Sequence, residues 1–293
     1  MNFENNNNHK DLIVKIFCII DDLIKMLKNK TLWNKSWRKA SLTASEVITI
    51  TIFWKMLWYT KLNWIYWHIK NYFNSMFKMP SYKSFVELSN KYALEWVKLL
   101  SIIMNFNQRN VKQNLYFIDS SKIAVCWNKR IFNHKVCDWF AKRWKSTMWW
   151  FYGFKLHIIT DSFWNLVRIK VTAWNVDDRN PVLSMTKKLT WMLVWDAWYV
   201  WEELRKKLLE KWVQFLTWVK KNMKKIMTKW QHKILKDRQI VESCFSVLKW
   251  TKDLVSSFAR SINWHFARIF MLYLLFLFQN SLIMFILLFR NSS

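Results

Sequence analysis

Apolar residues at Leu12, Ile16, Ile19, Leu23 and Leu27 recur every three or four positions, the period of one helix face, and predict an amphipathic helix near the start of the chain. The polar run from Asn5 to His9 ahead of it is expected to be unstructured. Thr43-Ala44-Ser45-Glu46 precedes the apolar run 47–56 in the capping-box pattern, where a Thr hydroxyl and a Glu carboxylate each satisfy a free backbone amide, so a second helix is expected there. After Pro80 a helical pattern resumes over 82–100, with Phe85, Leu88 and Tyr92 on one side. The first 110 residues therefore read as all-helical.

From Leu115 the texture changes. Residues 115–118 form a short apolar run that ends at Asp119. Residues 154–159 and 166–171 are β-branched-rich runs separated by a turn with Trp164-Asn165 near its end, the pattern of a hairpin. Pro181 opens a helix to about 189, its missing amide costing nothing at that position. A strand (192–195), a helix (202–211), a strand (213–219) and a helix (238–249) follow. The order β, β, β, α, β, α, β, α predicts an α/β domain with helices covering a mixed sheet. Residues 271–289 are apolar except for Gln279, Asn280 and Ser281. That polar trio in mid-segment favours one or two helices docked on the core over a membrane span. The expected organisation is a helical region 1–110, an α/β domain 111–255 and apolar helices over 256–293.

Charge narrows the partners. The 293 residues carry 47 Lys and Arg against 19 Asp and Glu, a net +28, an excess that calls for a polyanion and first of all nucleic acid. Cys18, Cys126, Cys137 and Cys244 lack the paired short spacings of a disulfide framework. With no secretory leader pattern, a cytoplasmic location is expected. Cys126, His134 and Cys137 lack a fourth partner and fit no closed zinc site.

One count is far out of range. At about 7% glycine the chain would hold roughly 20, yet it has 1 Gly and 23 Trp. Tight turns with positive φ need glycine. The two counts together suit about 20 glycines plus a few genuine tryptophans, so many Trp letters are expected to be UGA codons that the source reads as glycine. UGG codons at those sites would sink this reading.

Three acids stand out in the second part: Asp119 at the end of the first apolar run, Asp196 after the strand 192–195, and Glu242 in the late helix. Carboxylates on neighbouring strand ends can converge where hard divalent cations need shared oxygen ligands. Taken singly, each is equally what a solvated carboxylate looks like. The helix bearing Glu242 sets Arg238, Ser246 and Lys249 on the same side and Val241, Cys244, Phe245 and Leu248 on a buried stripe. Such a wall suits a salt-bridged surface or a phosphodiester backbone. His157 on its strand reads as a packed or groove-lining residue rather than a catalyst, and Asp177 and Asp178 as turn formers ahead of Pro181 in preference to charges standing behind the site.

The ordered strings Phe117-Ile118-Asp119-Ser120, Cys126-Trp127-Asn128-Lys129-Arg130-Ile131, His134-Lys135-Val136, Ala141-Lys142-Arg143-Trp144-Lys145-Ser146 and Trp150-Phe151-Tyr152-Gly153-Phe154-Lys155-Leu156-His157 resemble a bacterial insertion-sequence transposase of the DDE class. Asn175-Val176-Asp177-Asp178-Arg179, Asp196-Ala197-Trp198-Tyr199 and Ile240-Val241-Glu242 continue the likeness, which runs from about 40 to 275. The resemblance implies a ribonuclease-H-like catalytic domain over 111–255, with the helical 1–110 supplying DNA-end recognition or dimer contacts. It makes Asp119, Asp196 and Glu242 the catalytic acids and ligands of two Mg²⁺ ions, with Mn²⁺ able to substitute. The implied activity is cutting element ends and joining them to target DNA; the rivals are a stand-alone metal-dependent nuclease and a decayed DNA-binding copy. Implied partners are double-stranded DNA, as terminal inverted repeats and target, and further copies of the chain as a homodimer or higher oligomer, with no membrane. Lys129, Arg130, Lys142, Arg143, Lys145, Arg238 and Lys249 are the expected DNA-binding residues, joined by the basic run 220–225. Trp144, Trp149, Trp174, Trp195 and Trp198 fall where such proteins carry glycine, whereas Trp150 matches a family tryptophan. Positive φ is expected at Trp164 and Trp174, and indoles flanking Asp196 would crowd a metal site.

Overall fold

The computed structural model describes residues 6–28, 40–56, 62–109, 115–126, 128–133, 141–145, 150–196, 202–217, 227–246 and 249. They fall into two compact units divided in sequence between Ile102 and Ile103.

The first unit is helical. Helix α1 (Asn6–Lys28) starts inside the polar run that was expected to be unstructured. The His9 ring meets Phe53 edge-on at 5.7 Å, a contact that favours carrying the helix back through Asn6. The buried stripe of α1 is Ile13, Ile16, Ile20 and Ile24, one position round from the Leu12, Ile19 and Leu23 of the sequence pattern. Helix α2 (Ala44–Met56) opens with the expected capping box: Glu46 N–H donates to Thr43 Oγ1 at 3.2 Å, and Thr43 N–H donates to Glu46 Oε2 at 2.6 Å. Val47, Ile48, Ile50, Ile52 and Phe53 are all fully buried, so α2 is apolar all round and forms the unit's centre. Helices α3 (Leu62–Tyr72), α4 (Tyr82–Lys91) and α5 (Ala93–Arg109) as far as Ile102 complete it. The continuous helix predicted over 82–100 is broken at Tyr92, where ψ rises to 13°.

The second unit is a six-stranded mixed sheet with helices against it. Strand β1 (Leu115–Ala124) pairs antiparallel with β3 (Trp150–Asp161) and parallel with β5 (Trp191–Trp195), which pairs parallel with β6 (Val213–Thr217). Strands β2 (Lys142–Lys145) and β4 (Leu166–Ala173) both pair antiparallel with β3. The predicted hairpin is β3–β4, and its turn is held by Asp161, whose carboxylate accepts the N–H groups of Phe163 and Asn165, each at 2.8 Å. Helix α6 (Val182–Met185) is shorter than predicted; α7 (Glu202–Leu209), α8 (Lys229–Asp237) and α9 (Gln239–Ser246) follow. This mixed sheet with flanking helices is of the ribonuclease-H-like kind.

The two sheet faces have different jobs. Tyr116, Ile118, Ile159, Val167, Leu193 and Trp195 bury one face under Val182 and Met185 of α6 and Leu204 and Leu208 of α7. Strand alternation sends Phe117, Asp119, Ile158 and Val194 to the other face, and α9 packs on β1 and β3 with Val241, Cys244 and Phe245 buried. Gly153, the chain's one glycine, sits hard against β1: a Cβ there would lie 2.0 Å from the carbonyl oxygen of Ile123. Residues 271–289 lie outside the described residues, and no described helix is long and apolar enough to cross a membrane.

Candidate active site

Asp119 does not end its strand. β1 runs on to Ala124, kept in register by β3 from Asp119 opposite Ile158 to Ala124 opposite Gly153. The second acid meets it through the parallel pairing of β1 with β5. The ladder ends at Phe117 opposite Val194; Asp119 lies two residues further along β1, and Asp196 lies two residues beyond Val194, directly after the end of β5. The third acid is delivered by α9, which packs on β1 and β3. Its neighbour Arg238, between α8 and α9, links two of the acids: Nη2 donates to Glu242 Oε1 at 2.5 Å, and Nη1 lies 3.6 Å from Asp196 Oδ2. The Arg238 side chain is 15% exposed, those of Asp196 and Glu242 34% and 51%, so the group opens to solvent on the Glu242 side.

Electrostatics ties Asp119 to the same spot. Burial pushes its carboxyl up to about 6; the Ser120 N–H, donating at 2.8 Å, and the Arg238 charge pull it down, while Glu242 and Asp196 push it further up. Lys249 is held below the usual lysine range by burial and by Lys122, with Asp119 acting in the opposite sense. Lys122 was not singled out in the sequence, though it lies three residues from Asp119 on β1.

Among the described residues no three His, Cys, Asp or Glu side chains stand close enough together to hold a metal ion. The donor chemistry, though not the spacing of the described side chains, suits a hard divalent cation. It offers three carboxylates, one of them driven toward its neutral form by burial and by the other two, and a guanidinium already inserted between two of them.

The remaining residues sort by position. Lys129 and Arg130 lie exposed on a 3-10 turn (Asn128–Asn133), and Lys142 and Arg143 lie exposed on β2, while the Lys145 and Trp144 side chains are outside the described residues. Arg238 and Lys249 belong with the acids rather than to an open cationic face. The 220–225 run, His134 and Cys137 are also outside the described residues. His157 is packed, as expected: it is 1% exposed, Nε2 lies 2.8 Å from Thr172 Oγ1, and burial pushes it down to about 4. Asp177 forms the expected turn, accepting Arg179 N–H at 2.9 Å. Asp178 does something the sequence did not reveal, pairing with the buried Lys155 ammonium at 2.9 Å; Lys155 also donates to Val176 O and sits 4.8 Å from the Trp174 ring. Trp164 has the expected positive φ of 66°, and Trp174 does not have one. Trp195 does not crowd Asp196, because alternation turns its indole into the opposite core, edge-on to Phe215 at 5.9 Å. Trp198 lies outside the described residues.

A family model described as a transposase DDE domain matches residues 109–262, just over half of the chain. No curated protein and no solved structure matches it.

Proposed function

Since the chain belongs to the transposase DDE domain family, we propose that it cuts DNA at the ends of an insertion sequence and joins the freed 3′ ends to target DNA. Membership establishes the coarse class: a transposase, an enzyme that works on DNA and depends on divalent metal. The observation that carries the finer reading is Arg238 joining Asp196 to Glu242, with Asp119 close enough to feel the charges of all three. Asp119, Asp196 and Glu242 would hold two divalent ions, Mg²⁺ in this reading, with Mn²⁺ able to substitute. When bound, such ions make the attacking oxygen a nucleophile and stabilise the leaving one.

The chain's own groups do the rest. Burial at Asp119 excludes water from one side of the reacting phosphate and strengthens each charge–charge contact there. Arg238 and Lys249 add positive charge beside the acids, where a phosphodiester must come to lie. Lys129, Arg130, Lys142 and Arg143 present exposed cations for the flanking phosphates. A homodimer or larger assembly would bring two element ends to one target.

The test uses a plasmid carrying the gene with its genomic flanks. Asp119→Asn, Asp196→Asn and Glu242→Gln should each abolish Mg²⁺-dependent strand cleavage while leaving DNA retention in a gel within about threefold, since phosphate affinity comes from the cations. Near-normal cleavage by Glu242→Gln would remove the third acid from the site. Cleavage without joined product would mark the chain as a nuclease.

A further inference from the structure

A second surface of the catalytic unit pairs exposed rings with cations. Phe132, on the 3-10 turn, is 83% exposed and Trp150, at the start of β3, is 44% exposed. The Arg143 guanidinium stands between them, 5.6 Å from the Phe132 ring centre and 5.0 Å from that of Trp150. Asn128 Nδ2 donates to Trp150 O and ties the turn to the strand. Lys129, Arg130 and Lys142 are exposed around this group.

Register gives it an orientation. Arg143 stands opposite Tyr152, and Trp150, Tyr152, Phe154, Leu156 and Ile158 alternate onto one side of β3. Ile158 is the partner of Asp119, so rings and acids share a sheet face. Between position 158 and positions 152 to 150 lie six to eight residues, about 20 to 27 Å at ~3.4 Å per residue. In B-form duplex that distance is roughly six to eight base-pair steps.

The chemistry selects the occupant. A surface that only held duplex phosphates would need the cations and would gain nothing from exposed rings, because paired bases keep their faces stacked on one another. Bases freed from pairing offer those faces, and stacking on aromatic side chains beside a cationic backbone track is how unpaired strands are gripped. We infer that Phe132, Arg143 and Trp150 form a stacking platform for an unpaired DNA segment, with Lys129, Arg130 and Lys142 on its phosphates. This rests on the reading of the chain as DNA-acting and adds where the strand is held after the duplex opens.

The experiment uses the full chain with a 12-nucleotide oligo-dT carrying one 2-aminopurine, alongside a blunt duplex of the same length. Phe132→Ala removes an exposed ring, so the fold should survive; an unchanged thermal midpoint verifies this. Single-strand affinity should fall about 5- to 150-fold, the ~1 to 3 kcal/mol of one base stack at 1.4 kcal/mol per decade, and the quenching of 2-aminopurine should be lost. Duplex affinity and the salt slope should stay unchanged, and Phe132→Tyr should restore binding. Equal loss on both DNA forms, or no loss on either, overturns the platform while leaving DNA action standing. A wild-type chain that binds neither form overturns both.

Discussion

Four described non-glycine residues hold positive φ: Trp164 at 66°, Lys188 at 69°, Trp191 at 80° and Trp212 at 60°. Three of the four are tryptophan, which supplies only 23 of 293 residues, so the left-handed turns coincide with the residue suspected of standing for glycine. Trp191 and Trp212 share one junction, the Trp191 N–H donating to Trp212 O at 2.9 Å. Replacing Trp by Gly alone would mix backbone relief with lost burial, so the informative comparison is Gly against Ala at the same site. Both remove the indole, and they differ by one Cβ. A left-handed conformation costs a residue with a Cβ about 1 to 2 kcal/mol, and glycine's extra unfolded-state freedom costs about 0.5 to 1 kcal/mol in return. Gly should therefore exceed Ala by about 0.5 to 1 kcal/mol at each of 164, 191 and 212. In the triple variants the gain should be about 1.5 to 3 kcal/mol, with some coupling across the shared junction. Trp230 is the control: it is exposed within α8, and there Gly should fall below Ala by about 1 kcal/mol. Urea unfolding of the four Gly/Ala pairs reads the differences. If Gly is worse than Ala at 164, 191 and 212 as it is at 230, backbone strain does not mark these tryptophans and the recoding argument loses its structural support.

Other perturbations test the site and the sheet. Arg238→Gln should tighten divalent-ion binding about tenfold by calorimetry, a small part of the ~4 kcal/mol available to charges 4 Å apart at an effective dielectric of 20; unchanged or weaker binding would mean Arg238 does not compete for Asp196 and Glu242. His157 titrates at about 4 in the fold against 6.5 unfolded, so the unfolded chain takes up the proton first. The His157 contribution should be full above pH 6.5 and lost by about 3 kcal/mol toward pH 4. Asp119, raised to about 6, works in the opposite sense over that range, so the quantity to read is the difference between the pH–stability curves of wild type and His157→Gln, which should shrink by that amount toward pH 4. Gly153→Ala forces a Cβ against the Ile123 carbonyl at 2.0 Å, where only backbone can yield, and should cost at least about 3 kcal/mol in urea unfolding or leave the protein insoluble.

What the sequence revealed depended on how local the physics was. The Thr43–Glu46 capping box and the β3–β4 hairpin are set by neighbours within a few residues, and both were legible. The second half of β1 was not, because Ser120, Ser121 and Lys122 carry no apolar alternation and are held as strand only by pairing with β3. β2 was hidden for the same reason, since its Lys-Arg-Trp-Lys reads as a charged loop. α8 escaped notice although Thr228 and Gln231 form a capping box, a signal overlooked because the helix is mostly polar. The three acids could be named one by one. The Arg238 bridge between two of them could not, because it depends on how distant parts of the chain come together, as does the Lys155–Asp178 pair.

The order of the acids along the chain sets a schedule for the reaction. Asp119 cannot meet Asp196 until β5 has been made and laid beside β1, and Glu242 arrives later still. The 123 residues between Asp119 and Glu242 (242 − 119) take roughly 6 to 25 s to synthesise at ~5 to 20 residues per second. The exposed cations at 129, 130, 142 and 143 are made near the beginning of that interval. A nascent chain thus acquires groups that attract DNA well before it has the full set of acids proposed to cut it, and a copy terminated before codon 242 would keep the attraction without the blade.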